Sequence, residues 1–160
     1  MNGSENIYYA CRKEAAKYND KLRSREMAAE LLGISTSSLA NYELGTTKIV
    51  PVDIVVLMSD LYNAPELRYH YCKNECPIGA SLPMATKAAS LEGITIRLLN
   101  GLDADEITYI KKSLLGIARD GKVGPDEIPK LHKIVGSLDD LAETISELRI
   151  LAEKCEGGID

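Results

Sequence analysis

Two of the three large aromatic residue types are missing from this chain. It has no Trp and no Phe, and its aromatic side chains are eight tyrosines. A core must therefore be built from Leu, Ile, Val and Ala, which suits closely packed helices. Proline is scarce, at six in 160 residues, and no long β-branched run occurs. These absences predict an all-α protein. No stretch approaches the ~20 consecutive apolar residues of a membrane span. The opening residues lack the basic-then-apolar order of a signal peptide. A cytoplasmic protein with no membrane partner is expected, its four cysteines held as reduced thiols. Catalytic groupings are missing too. His70 and His132 lie in different halves, no Ser/His/Asp or Cys/His set assembles, and no Gly-rich phosphate loop is present. The expectation is a protein without catalytic residues, cofactor or small-molecule ligand.

Positive charge is also in short supply, since the formal net charge is −5. Its distribution matters more than its sum. Residues 1–80 hold nine Lys/Arg against ten Asp/Glu, and residues 81–160 hold ten against fourteen, so the acidic excess sits mostly in the second half. Within the first half, Arg12, Lys13, Lys17, Lys21, Arg23 and Arg25 fall in fourteen residues. A local basic face of this kind can bind phosphates on an acidic protein, because salt screens distant charge beyond ~8 Å.

What is present reads as two groups of helices. A first helix is expected from Ile7 to about Tyr18, with a break at Asn19-Asp20. Ser24 can cap a second helix, Arg25 to Leu32, by accepting an orphan backbone N–H. Gly33 then suits the left-handed residue that ends a helix. Ser35 can cap a third, Thr36 to Leu44, closed by Gly45. Pro51 opens a fourth, ending near Tyr62, and Pro65 opens a fifth, from Glu66 to about Cys72. Pro77, Gly79 and Pro83 punctuate a linker. Three longer helices follow, from about Met84 to Asn100, from the cap Asp103 to about Arg119, and from about Asp126 to Cys155. Gly157-Gly158 releases the tail. The domains expected are 5–72, a linker over 73–83, and 84–157.

The most informative segment is Ser24 to Gly45. Two helices of about eight residues are joined by Leu32-Gly33-Ile34-Ser35. Ala28 sits where a small residue lets the helices cross closely, while Ile34 and Leu39 point into their shared core. Such a turn holds the second helix away from the body, the geometry needed to enter a major groove about 12 Å wide. Thr36, Ser37, Ser38 and Asn41 are weak helix formers, so helix propensity does not account for them. They are short hydrogen-bonding side chains, and Ser37 and Asn41 are spaced to share a face. Asn can bond an adenine in a bidentate way. The bland alternative is an ordinary solvent-exposed helix.

With Arg25, Ala28, Leu32-Gly33-Ile34-Ser35 and Tyr42-Glu43-Leu44-Gly45 in order, followed by the Pro51-initiated apolar helix, the segment from Ile7 to Leu67 resembles the Cro/repressor-like helix-turn-helix family, also called the XRE family. The resemblance implies a five-helix DNA-binding domain. It implies base reading by Thr36, Ser37 and Asn41, and phosphate contact by Arg25, Ser35, Thr46 and Lys48. It also implies that Glu43 pairs with an arginine of the first helix, for which Arg12 is the candidate. The link from Ala15 to Arg23 is longer than the family's usual one.

His70, Cys72 and Cys76 offer three metal ligands, but a structural zinc site needs four, and the C-x-x-C spacing of a redox pair is absent. Packing, metal and redox roles stay open, with packing the plainest and no metal expected. Asp120 to Glu127 resembles half of a calcium loop, yet Gly116 and Ala118 would stand at its first ligand positions without side-chain oxygens, so it reads as a connection between helices. The last helix carries a heptad stripe. Leu131, Leu138, Ile145 and Ala152 recur every seven residues, and Ile134, Leu141, Leu148 and Cys155 recur beside them. Val135 and Ala142 widen the stripe, as in a bundle. Three amphipathic helices in so short a stretch bury limited area. A dimer held by Leu131, Ile134, Leu138, Leu141, Ile145 and Leu148 is therefore expected, against a monomeric three-helix bundle.

The expectation for the whole is a sequence-specific transcriptional regulator: a repressor binding double-stranded DNA as a homodimer on a two-fold operator. The rival is a protein-interaction module, an antitoxin or adaptor with weak or no DNA binding. It is favoured by low basicity and by the lack of Lys, Arg or Gln between Thr36 and Tyr42.

Overall fold

A computed structural model describes residues 6–157, and among them the chain is all-helical, with eight α-helices and no strand. The expected domain start at residue 5 and the tail glycine Gly158 lie outside the described residues. The helices are α1 (Ile7–Ala15), α2 (Arg25–Leu32), α3 (Thr36–Leu44), α4 (Val52–Leu61), α5 (Glu66–His70), α6 (Leu91–Gly101), α7 (Ala104–Ile117) and α8 (Ile128–Glu156). No described helix is long and apolar enough to cross a membrane.

The chain divides into two compact units. One runs through Leu82 and includes the residues from Ala152 onward, and the other is Pro83–Leu151. The segment expected as a linker carries a π-helical turn at Tyr71–Glu75 and a 3-10 turn at Gly79–Ser81, and it groups with the first unit.

The first unit is built around Tyr8, Cys11, Leu22, Ala28, Leu32, Leu39, Val55, Met58, Tyr62 and Leu67, all buried. Ala28 and Leu39 are fully inside, and Ile34 packs half-buried against them. The helix boundaries follow from local chemistry. Ser24 Oγ accepts from the Met27 amide, and Ser35 Oγ accepts from the Ser38 amide at 3.0 Å, so each helix of the central pair begins on a hydroxyl cap. Each ends on a left-handed glycine, Gly33 at φ 68° and Gly45 at φ 69°. The first helix is shorter than expected. It stops at Ala15, and the longer link is taken up by a 3-10 turn at Asp20–Leu22, begun by Asn19 accepting from the Lys21 amide.

In the second unit α6 starts at Leu91 rather than near Met84. The backbone before it is tied to α8 instead. The Ala85 amide donates to Ser146 Oγ and the Ala89 amide to Glu147 Oε2, both at 2.8 Å, and Ser90 then caps the helix. Asp103 caps α7 through the amides of Asp105 and Glu106. Pro129 is the second residue of α8, where its missing N–H costs little. The buried apolar side chains of this unit are few: Ile94, Ile117, Ile134 and Ile150.

Glycine substitutions at two positions should have opposite signs. A Cβ at Gly33 would meet nothing within 4 Å, so Gly33→Ala suffers only the left-handed backbone, and it should lose about 1 kcal/mol. Gly136, inside α8 and equally open, should gain about 0.5–1 kcal/mol as Gly136→Ala. Denaturant midpoints at unchanged slope are the readout, and equal shifts at both positions would contradict the assignment.

Candidate nucleic-acid interface

The orientation of α3 is set from behind by a buried carboxylate. Glu43, the penultimate residue of α3, points inward and is shared between two arginines. Arg12 of α1 donates from Nε to Oε1 at 2.5 Å and from Nη2 to Oε2 at 3.0 Å. Arg25 of α2 donates from Nε to Oε2 at 2.8 Å. Arg12 is itself buried, and its Nη1 donates to the carbonyls of Leu22 and Arg23, just ahead of the α2 cap. One guanidinium thus joins α1, the turn before α2, and α3. Its hydrogen bond to Glu43 pushes its pKa above the ordinary arginine value, against the opposing effect of burial. The Arg12–Glu43 pair is the one implied by the family resemblance.

On the opposite side of α3, Ser37 and Asn41 are exposed and Thr36 is half-buried. Ser37 and Asn41 lie one turn apart, so they share a face. Thr46 and Lys48, in the loop after α3, are also exposed. Several of these groups already have partners. Thr46 Oγ1 donates to Asn41 Oδ1 at 3.1 Å, Ser35 Oγ lies 2.8 Å from Ser38 Oγ as well as capping the helix, and Arg25 is held by Glu43. Arg25 is half-buried and engaged, so its first role is to complete the Glu43 site. The basic cluster is smaller than its residue count implies. Arg12 is inside, Lys17 pairs with Glu14, and Arg23 pairs with Asp20.

Two positioning residues were not singled out in the sequence. Asn6 caps α1 by accepting from the Tyr8 and Tyr9 amides, and its Nδ2 donates to the Tyr42 carbonyl of α3 at 3.0 Å. A capping residue before Ile7 was readable; its reach to α3 was not. Glu75 accepts from the Val50 amide at 2.8 Å and from the Tyr8 hydroxyl. It therefore holds the loop that carries Lys48, from a segment read as linker. Cys72 and Cys76 are only half-buried, Cys11 is buried and Cys155 exposed, and no disulfide joins any of the four. Among the described residues no group of three or more His, Cys, Asp and Glu is placed to hold a metal ion.

Comparison with protein-family models, curated proteins and solved structures finds no match to this chain.

Removing Glu43 should be far more damaging than removing Arg25. Glu43→Ala leaves a buried guanidinium unpaired and should lose about 3–5 kcal/mol of stability. Arg25→Ala leaves the Arg12–Glu43 pair in place and should lose about 1–2 kcal/mol. Chemical denaturation of both variants checks the ordering, and equal losses would mean that Arg12 is not the principal partner.

Alkaline pH tests the Tyr8 and Tyr62 environments. Burial first, then the Glu75 carboxylate, raises the Tyr8 pKa; burial first, then the charge of Glu43, raises that of Tyr62. A phenol whose folded pKa exceeds the unfolded value of about 10 stabilises the fold fully below that pH and loses this contribution as pH rises above it. Stability should therefore fall above pH ~10, with two tyrosines ionising only as the chain unfolds. Tyrosinate absorbance followed beside circular dichroism reads both, and eight tyrosines titrating together in the folded state would refute it.

Proposed function

We propose that this chain is a sequence-specific DNA-binding transcriptional regulator of the Cro/repressor-like (XRE) type, a cytoplasmic repressor acting as a homodimer on a two-fold symmetric operator. On this reading α1–α5 form the five-helix DNA-binding domain and α6–α8 a three-helix bundle that pairs two copies. The observation that carries it is the contrast between the two sides of α3. Its back is anchored by a buried, doubly paired Glu43, while its front offers Ser37 and Asn41 to solvent. A solvated surface helix has no need of so costly an anchor, whereas a helix that must present short donors and acceptors to base edges does.

The roles divide by chemistry. Ser37 and Asn41, with Thr36 at the helix start, read bases. Lys48 supplies phosphate charge from the loop, and Ser35, Thr46 and Arg25 contribute at its edges. The protein-interaction reading draws on one observation, the absence of any Lys or Arg from α3 itself.

Selection of bound duplexes from a random pool, followed by titration of the selected site at several salt concentrations, decides between the two. Asn41→Ala should lose about 1–3 kcal/mol of discrimination at one base position. Lys48→Ala should weaken all duplexes alike and reduce the salt slope by about 1. Failure to enrich any sequence, with no salt-dependent binding, would sink the DNA reading and leave the interaction module.

A further inference from the structure

The second unit exposes more of its large apolar side chains than it buries. Its four buried apolar side chains are all isoleucines. Against them stand exposed Leu91, Ile96 and Leu99 on α6, Leu102 just after it, Leu115 on α7, and a row on α8. In α6 only Ile94 is fully buried. A unit of this size with so small a core needs a staple, and it shows no disulfide among its described residues.

The heptad stripe on α8 separates into two faces. Ile134 and Thr144 are buried, Leu141 lies against Gly101 of α6, and Ser137 Oγ donates to Glu106 of α7. Positions 134, 137, 141 and 144 therefore face the unit's own helices. Ile128, Val135, Leu138 and Ile145 are 42–44% exposed, and with half-buried Leu131 and Ala142 they continue the alternating three-and-four spacing on the other side. Of the six residues expected at the interface, Ile134 is buried inside the unit and Leu141 lies against α6, while Leu131, Leu138 and Ile145 stand in the outward row and Leu148 is half-buried beyond it.

We infer that the outward row Ile128, Leu131, Val135, Leu138, Ala142 and Ile145 of α8 is the seam that pairs this unit with a second copy of the chain. The inference rests on the homodimer reading above and names the surface that makes the dimer. Two features choose the occupant. A heptad row is complementary to the same row on an identical helix, by knobs-into-holes packing. The six positions of the row carry no Lys or Arg, and exposed Asp139 stands beside them on the helix, so the row has nothing to attract nucleic acid or anionic lipid.

The full-length chain should sediment as a dimer at micromolar concentration. Leu138→Lys with Ile145→Lys adds charge only at exposed positions, so helicity should persist while self-association weakens at least about tenfold, since each lost anchor removes on the order of 1 kcal/mol or more. Should that variant misfold, crosslinking decides. In a Cys155→Ser background, Leu138→Cys should give a disulfide-linked dimer on mild oxidation, and Asp140→Cys, on the far side of α8, should not. A monomeric wild type, an assembly larger than two, a dimer untouched by the double substitution, or equal crosslinking at both positions would each overturn the seam. Duplex binding measured on the same samples keeps this separate from the DNA reading, which survives if a monomer still selects a sequence.

Discussion

Glu43 is the interaction on which the first unit depends. A carboxylate inside a small helical domain is expensive, because transfer from water costs several kcal/mol even after relaxation. Here the cost is offset by three hydrogen bonds from two guanidinium groups, and Arg12 in turn satisfies two backbone carbonyls. Each partner is tolerable only because the others are present. The arrangement adds less stability than an apolar plug of the same volume could, but it adds direction. Arg12 and Arg25 reach Glu43 from two different helices, so α3 cannot rotate or slide without stranding a charge. An apolar core of Leu, Ala and Val would permit such sliding, since its contacts are not directional. The face carrying Ser37 and Asn41 is fixed as a consequence.

The same constraint explains what was legible in advance. The central helix pair could be read almost to the residue, because its ends rest on local chemistry: a hydroxyl three residues before the amide it caps, and a glycine at each left-handed stop. The Arg12–Glu43 pair was implied by resemblance, and the structure makes it despite the longer link, because a 3-10 turn absorbs the added residues outside the pairing geometry. Three features were not legible. The stretch from Met84 to Ser90 has helical spacing of apolar residues, but its amides are claimed by Ser146 and Glu147 some sixty positions away. Glu75 acts on Val50 and Tyr8 from a segment whose Pro and Gly content marks a linker. The third is the consumption of positive charge. Six Lys and Arg in a short span read as a basic face, yet four have carboxylate partners and one of these is buried. Long-range partners leave no periodic trace in one sequence.

The two units handle their apolar residues differently. In the first, the small residues Ala16, Ala28, Ala29 and Ala64 are buried in one cluster with Leu22, Leu39, Met58 and Leu67. In the second the small or polar residues Ser113, Thr144 and Ser146 occupy buried positions, and larger Leu and Ile side chains face outward. Exchanging those roles would have made a self-sufficient bundle. The observed placement makes the second unit's stability a function of concentration, by mass action, if the outward row meets its copy.

That dependence bears on recognition. With Arg12 and Arg25 committed to Glu43, and Lys17 and Arg23 to neighbouring carboxylates, a single copy has little unspent charge near α3 to offer phosphates. On the proposed reading, one copy would gain only the few kcal/mol of short neutral hydrogen bonds to base edges, too little against the loss of translational and rotational freedom. A second copy tethered through α8 engages at high effective concentration and does not incur that loss in full again. Weak reading by each α3 then becomes an advantage. Half-sites bind poorly, non-specific phosphate attraction is low, and discrimination comes from requiring two matched half-sites at once. The anchored, charge-poor α3 and the under-covered α8 are, on this argument, two halves of one solution to specificity.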